Sequence, residues 1–359
     1  MKKERIYVCH TYYHVYVAFL KEFALPKQKQ GAASIVLSSL SNDFGNLKQR
    51  MEMLHFWEEV FTLDEKRDDF FPELAPLRED KGNIAKNMLA RIRFTKRYAQ
   101  LEEPYINIDF KAYQDIYVFC DSDPIGYYLN YKKIPYHAME DGINCLKIFD
   151  AARFDNRGHF GLKVFMASLN LIFIQNGYSK YCIDMEINDR ECLKYDCPKY
   201  VVVPRKPMEE SLSSEAKRII VRAFVEDADM LLSQVAQASK DTKTKNVIIL
   251  TEPLCELGVR KQIFDDIIEE YCKDCRIFIK PHPRDVLDYE KMYPKQIVIK
   301  GKFPLEVMNL IEGIHFHKAI SVFTQSIFSM EFVDEILFLG EDFMDKYEDP
   351  SIHRYNDQI

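Results

Sequence analysis

The sequence predicts an α/β protein built on two doubly wound parallel sheets. Short apolar segments typical of buried strands alternate with segments whose apolar residues recur at helical spacing. This alternation occurs twice, before residue 183 and again after residue 244. The length of 359 residues fits two domains, each large enough to bury its own core. Polar residues follow most of the predicted strands, and ligands bind at that position in parallel sheets.

Composition limits the classes of binding partner and indicates the cellular compartment. The 49 basic and 56 acidic residues give a net charge of −7, which provides no global attraction to nucleic acid. The nine cysteines are an odd number and suit reduced thiols in a cytoplasm. No export signal and no apolar run of the ~20 residues that span a bilayer is visible. We expect a cytoplasmic protein, with peripheral contact to the inner face of the membrane as an open alternative.

The first series of elements defines an N-terminal domain over residues 1–200. Strands are predicted over 6–9, 33–38, 60–63, 116–120 and 136–139, with a helix over 13–23 after the first strand. Residues 160–181, rich in Phe, Leu, Ile and Tyr, are predicted as a helical insertion that is mainly buried. This aromatic-rich segment and the basic stretch 91–98 are the candidates for acceptor or membrane contact.

The alternation then lapses from about residue 183 to residue 244, where prolines and polar residues accumulate. We predict one helix over 214–232 and assign 201–245 to an interdomain helix with linkers. A second Rossmann-like series follows over 246–359. Its strands are predicted over 247–250, 276–279, 297–299, 319–323 and 336–339, and its helices over 259–271, 305–311 and 325–332.

A cationic turn follows the predicted strand 276–279. It contains Lys280, Pro281, His282 and Pro283. The prolines fix the backbone, so that an ammonium and an imidazole project from a rigid turn, which suits a phosphate. A purely structural turn is the alternative.

Hydroxyl residues follow the predicted strand 319–323. Thr324, Gln325 and Ser326 open a helix there, where hydroxyls and free N–H groups attract an anion. An ordinary helix cap is the alternative. Glu306 lies at the start of the helix predicted over 305–311 and could bind ribose hydroxyls, although acidic residues favour first turns in any case.

Adjacent carboxylates end the predicted strand 136–139. Glu140 and Asp141 precede Gly142, which permits a tight turn. Neighbouring carboxylates raise each other's proton affinity, as a general base acting near neutral pH requires. Asp121 and Asp123 have the spacing of a metal motif, but we interpret them as a strand-end turn. No Walker A, GxGxxG, HExxH or GxSxG motif occurs, which removes the commonest nucleotide and hydrolase classes.

Taken in order, these motifs resemble those of bacterial sialyltransferases, whose hallmarks are a D/E-D/E-G motif, an HP motif and a later Ser/Thr motif. The opening segment from Cys9 to His14 also resembles the start of glycosyltransferase family 52 and of capsule sialyltransferases. The resemblance implies a GT-B-like fold, with two Rossmann-like domains facing a central cleft. It implies an inverting transferase without a metal or cofactor, moving sialic acid from CMP-sialic acid to a galactose-terminated glycan of a surface polysaccharide or lipooligosaccharide.

The resemblance also implies roles for individual residues. His282 would contact the CMP phosphate as acid or electrostatic stabiliser, assisted by Lys280. Either Glu140 or Asp141 would accept the proton of the acceptor hydroxyl. The remaining donor-binding candidates are Thr11, Pro283, Glu306, Thr324, Gln325 and Ser326. In some relatives the base comes from the second domain, so Glu252 and Glu256 remain alternative bases.

Two other interpretations stay open at this point. One is a different CMP-releasing GT-B transferase, acting on Kdo or a polyol phosphate. The other is a non-catalytic scaffold that binds nucleotide sugars, although a scaffold has no need of an acid and a base. The acceptor sugar and the linkage also stay open.

Overall fold

The structure is a computed structural model that describes residues 2–142, 146, 150–191, 193–241, 243–282 and 285–353. Pro283 lies outside the described residues. The chain divides into two compact units, Met1–Leu212 (unit 1) and Ser213–Ile359 (unit 2). Each unit contains a parallel sheet with helices, so the predicted α/β class is confirmed.

Unit 1 contains, within the described residues, a seven-stranded sheet of order β3-β2-β1-β4-β5-β6-β7. Its strands are β1 Lys3–Cys9, β2 Ala33–Ser38, β3 Val60–Leu63, β4 Tyr113–Phe119, β5 Tyr136–Met139, β6 Cys182–Ile187 and β7 Tyr200–Val202. Every pairing is parallel. The inner strand β1 pairs with β2 on one side and β4 on the other, and all residues of β2 are buried. Burial on both faces explains the continuous apolar runs that reveal these strands in the sequence.

Helices connect these strands. They are α1 Tyr12–Phe23, α2 Leu47–Met53, α3 Ala75–Arg78, α4 Ile84–Glu102, α5 Pro124–Tyr131, α6 Ala151–Asp155, α7 Phe160–Ser168 and α8 Arg205–Glu210. Short 3₁₀ helices lie at Lys27–Lys29, Asp68–Phe70, Pro72–Leu74, Glu103–Tyr105 and Phe110–Ala112. Local chemistry fixes several starts: the side chain of Asn83, for example, accepts from the backbone N–H of Lys86 at the start of α4.

Two predictions for unit 1 are wrong in part. The strand pattern does not lapse at residue 183, because β6 and β7 extend the sheet there. β6 alternates buried and more exposed residues and carries acidic side chains, so it lacks a continuous apolar run. The segment 160–181 is only partly buried: Met166 and Ala167 of α7 face the core, whereas the Phe165 residue is 60% exposed.

Unit 2 contains, in its described part, a five-stranded parallel sheet of order β10-β9-β8-β11-β12. Its strands are β8 Asn246–Leu250, β9 Arg276–Lys280, β10 Ile297–Val298, β11 Phe316–Ser321 and β12 Val333–Phe338. Its helices are α9 Ser214–Phe224, α10 Ala228–Lys240, α11 Leu257–Tyr271, α12 Tyr289–Met292, α13 Gly340–Met344 and α14 Pro350–His353. Short 3₁₀ helices occupy Leu305–Leu310 and Gln325–Ser329.

The helix predicted over 214–232 is therefore two helices, α9 and α10. Asp227, with a left-handed φ of 54°, lies at the break between them. The helices predicted over 305–311 and 325–332 are 3₁₀ helices, and the second of them is shorter than expected.

Two further features concern the chain as a whole. Among the described cysteines all seven are free thiols. In the described part of the chain, none of the helices has both the length and the apolar character needed to span a bilayer.

The start of α5 packs unusually closely on the end of β4. A Cβ added at Gly126 would lie 1.9 Å from the carbonyl oxygen of Asp121 and 2.8 Å from Cζ of Phe173. We expect Gly126→Ala to lower the free energy of unfolding by about 3 kcal/mol, because backbone atoms cannot yield as a flexible side chain can. Chemical denaturation measures this change.

Gly161→Ala is the matched control. Gly161 also lies in a helix of unit 1, α7, but nothing lies within 4 Å of the added Cβ. Its replacement should leave stability unchanged or raise it by up to about 1 kcal/mol. Equal effects of the two substitutions would contradict the close packing of α5.

Candidate active site

The parallel strands of unit 1 bring several titratable side chains to the carboxyl edge of its sheet. His10 and His14 follow β1, Glu65 follows β3, Asp123 follows β4 and Asp141 follows β5. These five residues form two neighbouring hydrogen-bonded groups, which we call the His14–Asp141 pair and the His10–Glu65–Asp123 cluster. The His10 and His14 rings are 6.2 Å apart, centroid to centroid.

The protonation of His14 is set by the backbone. Its Nδ1 accepts the N–H groups of His10, at 3.0 Å, and Thr11, at 3.2 Å. A nitrogen that accepts two N–H groups cannot carry a proton, so the ring proton lies on Nε2. Nε2 donates to Oδ1 of Asp141. Burial lowers the pKa of His14, because the ring is fully buried and stacked on Phe119 at 4.4 Å, and His14 is a neutral donor.

Asp141 is held on one side and open on the other. Besides His14, the thiol of Cys120 donates to its carboxylate. The Asp141 side chain nevertheless remains 42% exposed. Burial alone would raise its pKa, but the hydrogen bond from His14 and the other donors outweigh burial and lower the pKa below its usual value. Asp141 is therefore a carboxylate throughout the neutral pH range.

Glu140 points away from Asp141. It is buried, and its Oε2 accepts the backbone N–H of Asn188 at 2.7 Å. Its carbonyl oxygen accepts from the guanidinium of Arg205 at 2.9 Å. Thus Glu140 joins β5 to the segment after β6. The expectation that two neighbouring carboxylates raise each other's proton affinity is wrong for Asp141, whose pKa is lowered by its hydrogen bonds.

Sequence reasoning missed the His10–Glu65–Asp123 cluster as a unit. His10 Nε2 lies 2.9 Å from Glu65 and 3.4 Å from Asp123. Glu65 also accepts the hydroxyl of Ser38, at 2.6 Å, and the backbone N–H of Ile125, at 2.8 Å. Glu65 comes two residues after β3, so inspection of every strand end could have found it.

The charges of this cluster follow from its contacts. Burial alone would lower the pKa of His10, but Glu65 and then Asp123 outweigh burial and raise it to about 9. Burial raises the pKa of Asp123 to about 6, with Glu65 and Asp141 adding to the rise and His10 opposing it. An imidazolium thus lies against two carboxylates, Glu65 and Asp123, and is also stabilised electrostatically by Asp141.

Thr11, predicted to bind the donor, caps α1. Its hydroxyl accepts the backbone N–H of His14 at 3.2 Å. His14, Cys120 and Asp141 also have ligand-type atoms within 4.8 Å of one another, the only such group in the described residues. A metal ion there would have to displace the Nε2 proton of His14, because its Nδ1 is occupied by the backbone.

In unit 2 a buried network holds the turn that contains His282. The backbone N–H of His282 donates to the hydroxyl of Thr251 at 3.1 Å, and that hydroxyl donates to Asp285 at 3.1 Å. Asp285 also accepts from Tyr289, at 2.6 Å, and from Arg260, at 2.6 Å. This network therefore holds the backbone of His282 just after β9, and His282 itself is half-buried.

Lys280 lies beneath this turn. Its ammonium is buried and donates to the carbonyl oxygens of Pro281, at 2.9 Å, and Gly301, at 3.3 Å. It also lies 4.0 Å from the centre of the Phe303 ring. Burial lowers its pKa to about 7. In this structure Lys280 joins the strand ends of β9 and β10, so its predicted help at the phosphate would act through the turn.

Glu252 is buried and anchors the segment after β11. Its two carboxylate oxygens accept the backbone N–H of Phe323 at 3.0 and 2.9 Å, and one accepts the hydroxyl of Ser321 at 3.2 Å. Thr324 also donates its hydroxyl to Glu252, while burial still raises the pKa of Glu252. By contrast, Glu256 is exposed at the start of α11.

The remaining donor-binding candidates lie on the two 3₁₀ helices of unit 2. Glu306 is in the first turn of Leu305–Leu310 and is half-buried. Gln325 is exposed and Ser326 is half-buried at the start of Gln325–Ser329. The structure thus places all the described candidates of unit 2 after a strand or at the start of a helix, as the sequence predicted.

This arrangement of strand-end groups on two parallel-sheet units is the architecture of GT-B-like glycosyltransferases. A Photobacterium phosphoreum α/β-galactoside α-2,3-sialyltransferase matches with a TM-score of 0.50 and 11% identity, over 94% of this chain and 91% of that one. A 2,6-sialyltransferase of Photobacterium sp. JT-ISH-224 matches with a TM-score of 0.53 and 10% identity, over 93% and 71%. The GT-B-like fold class is confirmed.

Sequence comparison gives the family. The model of glycosyltransferase family 52 matches residues 43–335, and the chain belongs to that family. The resemblance found in the motifs is thereby confirmed. An uncharacterized protein of Haemophilus influenzae is 31% identical over 87 residues. That match covers 23% of this chain and 28% of the length of the relative.

The charged His10–Glu65 contact predicts a pH-dependent stability. The pKa of His10 is raised from 6.5 to about 9 on folding, so its contribution is full below pH 6.5 and is lost as pH rises through 9. We expect Glu65→Gln to lower the free energy of unfolding of unit 1 by about 3 kcal/mol near pH 6, because it removes the nearer of the two carboxylates that pair with the buried His10 charge. The deficit should shrink near pH 9.5. Urea denaturation across this range measures it.

Glu59→Gln is the control for a lost ion pair. Glu59 pairs with Lys3 at the surface of the same unit. Its replacement should cost below about 1 kcal/mol, with little change over this pH range. A deficit of Glu65→Gln that stays constant from about pH 6 to 9.5 would contradict a charged His10.

Proposed function

We propose that this protein is an inverting, metal-independent sialyltransferase that moves sialic acid from CMP-sialic acid to a galactose-terminated glycan. The observation that carries the proposal is the ionised, half-open Asp141 after β5, oriented by a neutral His14 in a family 52 chain. The similar Photobacterium 2,6-sialyltransferase was solved with CMP as donor product and lactose as acceptor substrate, which supports the same substrate classes here.

We assign the base to unit 1. An inverting transfer needs a carboxylate that accepts the acceptor proton as the hydroxyl attacks. Asp141 has an exposed side, whereas Glu140 is buried and bound to Asn188. His14 would act as a positioning residue, since its single proton donates to Asp141 and its other nitrogen is fixed by the backbone. The lowered pKa of Asp141 keeps it ready to accept a proton at neutral pH.

We assign binding of the CMP group to unit 2. Loss of CMP places negative charge on the phosphate and positive charge on the sugar, so fixed donors at the phosphate favour the transition state over the ground state. His282 would supply that contact, because its turn is held rigidly by Thr251 and Asp285. Ser326 would provide a hydroxyl to the same phosphate and Glu306 would bind the ribose. The buried Lys280 would support the turn.

The alternative bases fit less well. Both oxygens of Glu252 accept the N–H of Phe323, so a role in proton transfer would break the anchor of the segment after β11. We propose that Glu252 holds Thr324 and its neighbours in place. Glu256 is free to approach a ligand but has no donor that orients its carboxylate among the contacts of the described residues.

The biological setting belongs to the same proposal. We propose that the acceptor is a bacterial surface polysaccharide or lipooligosaccharide and that transfer occurs in the cytoplasm. The free thiols of the described cysteines support a reducing compartment.

Substitutions at Asp141 and Glu140 distinguish the roles of these two adjacent carboxylates. We expect Asp141→Asn to lower kcat for CMP release by at least ~100-fold with lactose as acceptor, the scale of losing a general base. CMP binding, measured by calorimetry, should be unchanged. Glu140→Gln should mainly lower thermal stability, because Glu140 binds a backbone N–H. Full turnover in Asp141→Asn, with loss in Glu256→Gln, would move the base to unit 2.

His282→Ala tests the phosphate contact. We expect CMP release from CMP-sialic acid, assayed in EDTA, to fall by ~100-fold or more. His315→Ala is a matched control, since His315 is exposed on unit 2 just before β11 and pairs with Asp334. The control should retain full turnover. Release from CMP-Kdo or a CDP-polyol, with none from CMP-sialic acid, would contradict the proposed donor.

A further inference from the structure

A pocket lies in unit 1, lined by residues other than those of the candidate site. Its volume is about 600 Å³, which is the size of a small-molecule site. Residues of α4, α5 and α7 line it, together with the segment that follows α7. None of the residues that line it belongs to the His14–Asp141 pair or to the His10–Glu65–Asp123 cluster.

Two cations in this pocket lack carboxylate partners within the described residues. Arg91 donates from Nη2 to the side chain of Asn156, at 3.0 Å, and to the carbonyl oxygen of Phe173, at 3.4 Å. Its Nε is buried and has no hydrogen-bond partner in the described part of the chain. Lys163 donates to the carbonyl oxygen of Arg157 at 2.9 Å. Burial lowers the pKa of Lys163, and repulsion by the Arg91 charge lowers it further.

The carboxylates that line the pocket are already engaged. Asp68 pairs with Arg78, Glu79 with Lys81, Asp80 with Asn87 and Asp155 with Gln175, at distances of 2.8, 3.1, 2.7 and 3.2 Å. Asp80 and Asp155 bond to neutral amides and keep their charge, but both are exposed to solvent. Arg91 and Lys163, the cations without an ion-pair partner among the described residues, are half-buried. A buried guanidinium N–H without an acceptor costs free energy, and an anionic ligand would supply that acceptor.

The other side of the pocket is aromatic. Tyr127 packs on Phe173 with ring centroids 4.4 Å apart, and Phe94 lies 6.2 Å from Tyr127. An aromatic face offers apolar area to the C–H groups of a sugar ring, while the Tyr127 hydroxyl and the amides of Asn156 and Gln175 offer hydrogen bonds. Cationic, amide and aromatic groups together match a saccharide that carries an anionic group.

Helix α5 connects the pocket to the His10–Glu65–Asp123 cluster. Asp123 is the N-cap of α5, and Tyr127 follows one turn later, a rise of about 6 Å. A saccharide whose reacting hydroxyl lies at Asp141 could therefore extend a neighbouring sugar past Asp123 towards Tyr127.

We propose that this pocket binds an anionic sugar of the acceptor, one that carries a carboxylate or a phosphate, with Arg91 and Lys163 as the groups that recognise the charge. The role of the pocket in choosing the acceptor rests on the proposed transferase function. The binding of an anionic sugar does not rest on it. Arg91 presents a planar fork that suits either anion. The site would select acceptors by the charge of a sugar other than the one whose hydroxyl reacts.

Binding without donor tests the site independently of turnover. The probes are glucose, glucuronic acid, glucose 6-phosphate and inorganic phosphate, titrated into the full chain by calorimetry or ligand-observed NMR. We expect both anionic sugars to bind at least ~10-fold more tightly than glucose, and Arg91→Gln to abolish that preference. Arg93→Gln is the matched control, because Arg93 is exposed on the same helix and does not line the pocket.

The outcomes are separable. Equal affinities of Arg91→Gln and Arg93→Gln for the anionic sugars would overturn the proposal, as would anionic sugars that bind no better than glucose. Inorganic phosphate that binds as tightly as glucose 6-phosphate would overturn the saccharide part. Lys163→Gln serves as a second variant if Arg91→Gln fails to fold, and it should also reduce the preference.

Kinetics test the role. Lactose and lactobionate differ at the sugar next to galactose, where lactobionate carries a carboxylate. We expect Arg91→Gln to raise KM for lactobionate by ~10-fold, with kcat unchanged and KM for lactose unaffected. Equal changes of KM for both acceptors would overturn recognition of charge. If no acceptor supports CMP release, the proposed function fails, while the binding experiment still decides whether the pocket exists.

Discussion

The common direction of the strands is the constraint on which both units depend. Each described sheet is entirely parallel, so all its strands end at one edge. Residues within the strands pair through their backbones and are buried on both faces of the sheet. Residues just beyond the strand ends have neither constraint. The side chains with polar or ionisable groups collect there in both units. Chemistry at one edge is thus a consequence of chain direction, supplied by segments far apart in sequence.

The edge of unit 1 shows how partners alone decide the state of identical side chains. His10 and His14 are both buried and are separated by one helical turn of sequence. His14 is neutral because two backbone N–H groups occupy its Nδ1. His10 is charged because carboxylates surround its Nε2, at 2.9 and 3.4 Å. The neutral His14 therefore orients the Asp141 carboxylate without neutralising it. The charged His10 holds the carboxylates of Glu65 and Asp123 together.

The strands could be predicted where burial leaves a continuous apolar run. β2, β3 and β5 have the bounds that the sequence indicated, although only β2 is buried along its whole length and β3, at the border of the sheet, is buried only at its two ends. β6 could not be found in this way, since its acidic side chains alternate with apolar ones towards the border of the sheet. The helices over 305–311 and 325–332 have helical spacing but are wound as 3₁₀ helices, a difference that periodicity does not resolve.

The positions of the site residues could be predicted, but their orientations could not. Ligands bind beyond the carboxyl ends of parallel strands, and this rule identifies Asp141 and His282 from the sequence alone. Whether a side chain faces solvent or protein depends on partners distant in sequence. Glu140 turns towards Asn188, and Lys280 towards Gly301, and no local pattern contains those contacts. The buried Arg91 Nε, which lacks a hydrogen-bond partner among the described residues, is likewise visible only once α4, α5 and α7 are packed together.

The order of the strands in unit 1 has a consequence for biosynthesis. β1 is the first strand made and lies inside the sheet, with Lys3 opposite Tyr113 of β4. A nascent chain that contains only β1, β2 and β3 can pair those three strands, but one edge of β1 stays open until residues beyond 113 leave the ribosome. Open apolar edges recruit other chains, and distant pairings form slowly. The open edge of β1 therefore makes the N-terminal third of the nascent chain prone to associate with other chains until β4 is made.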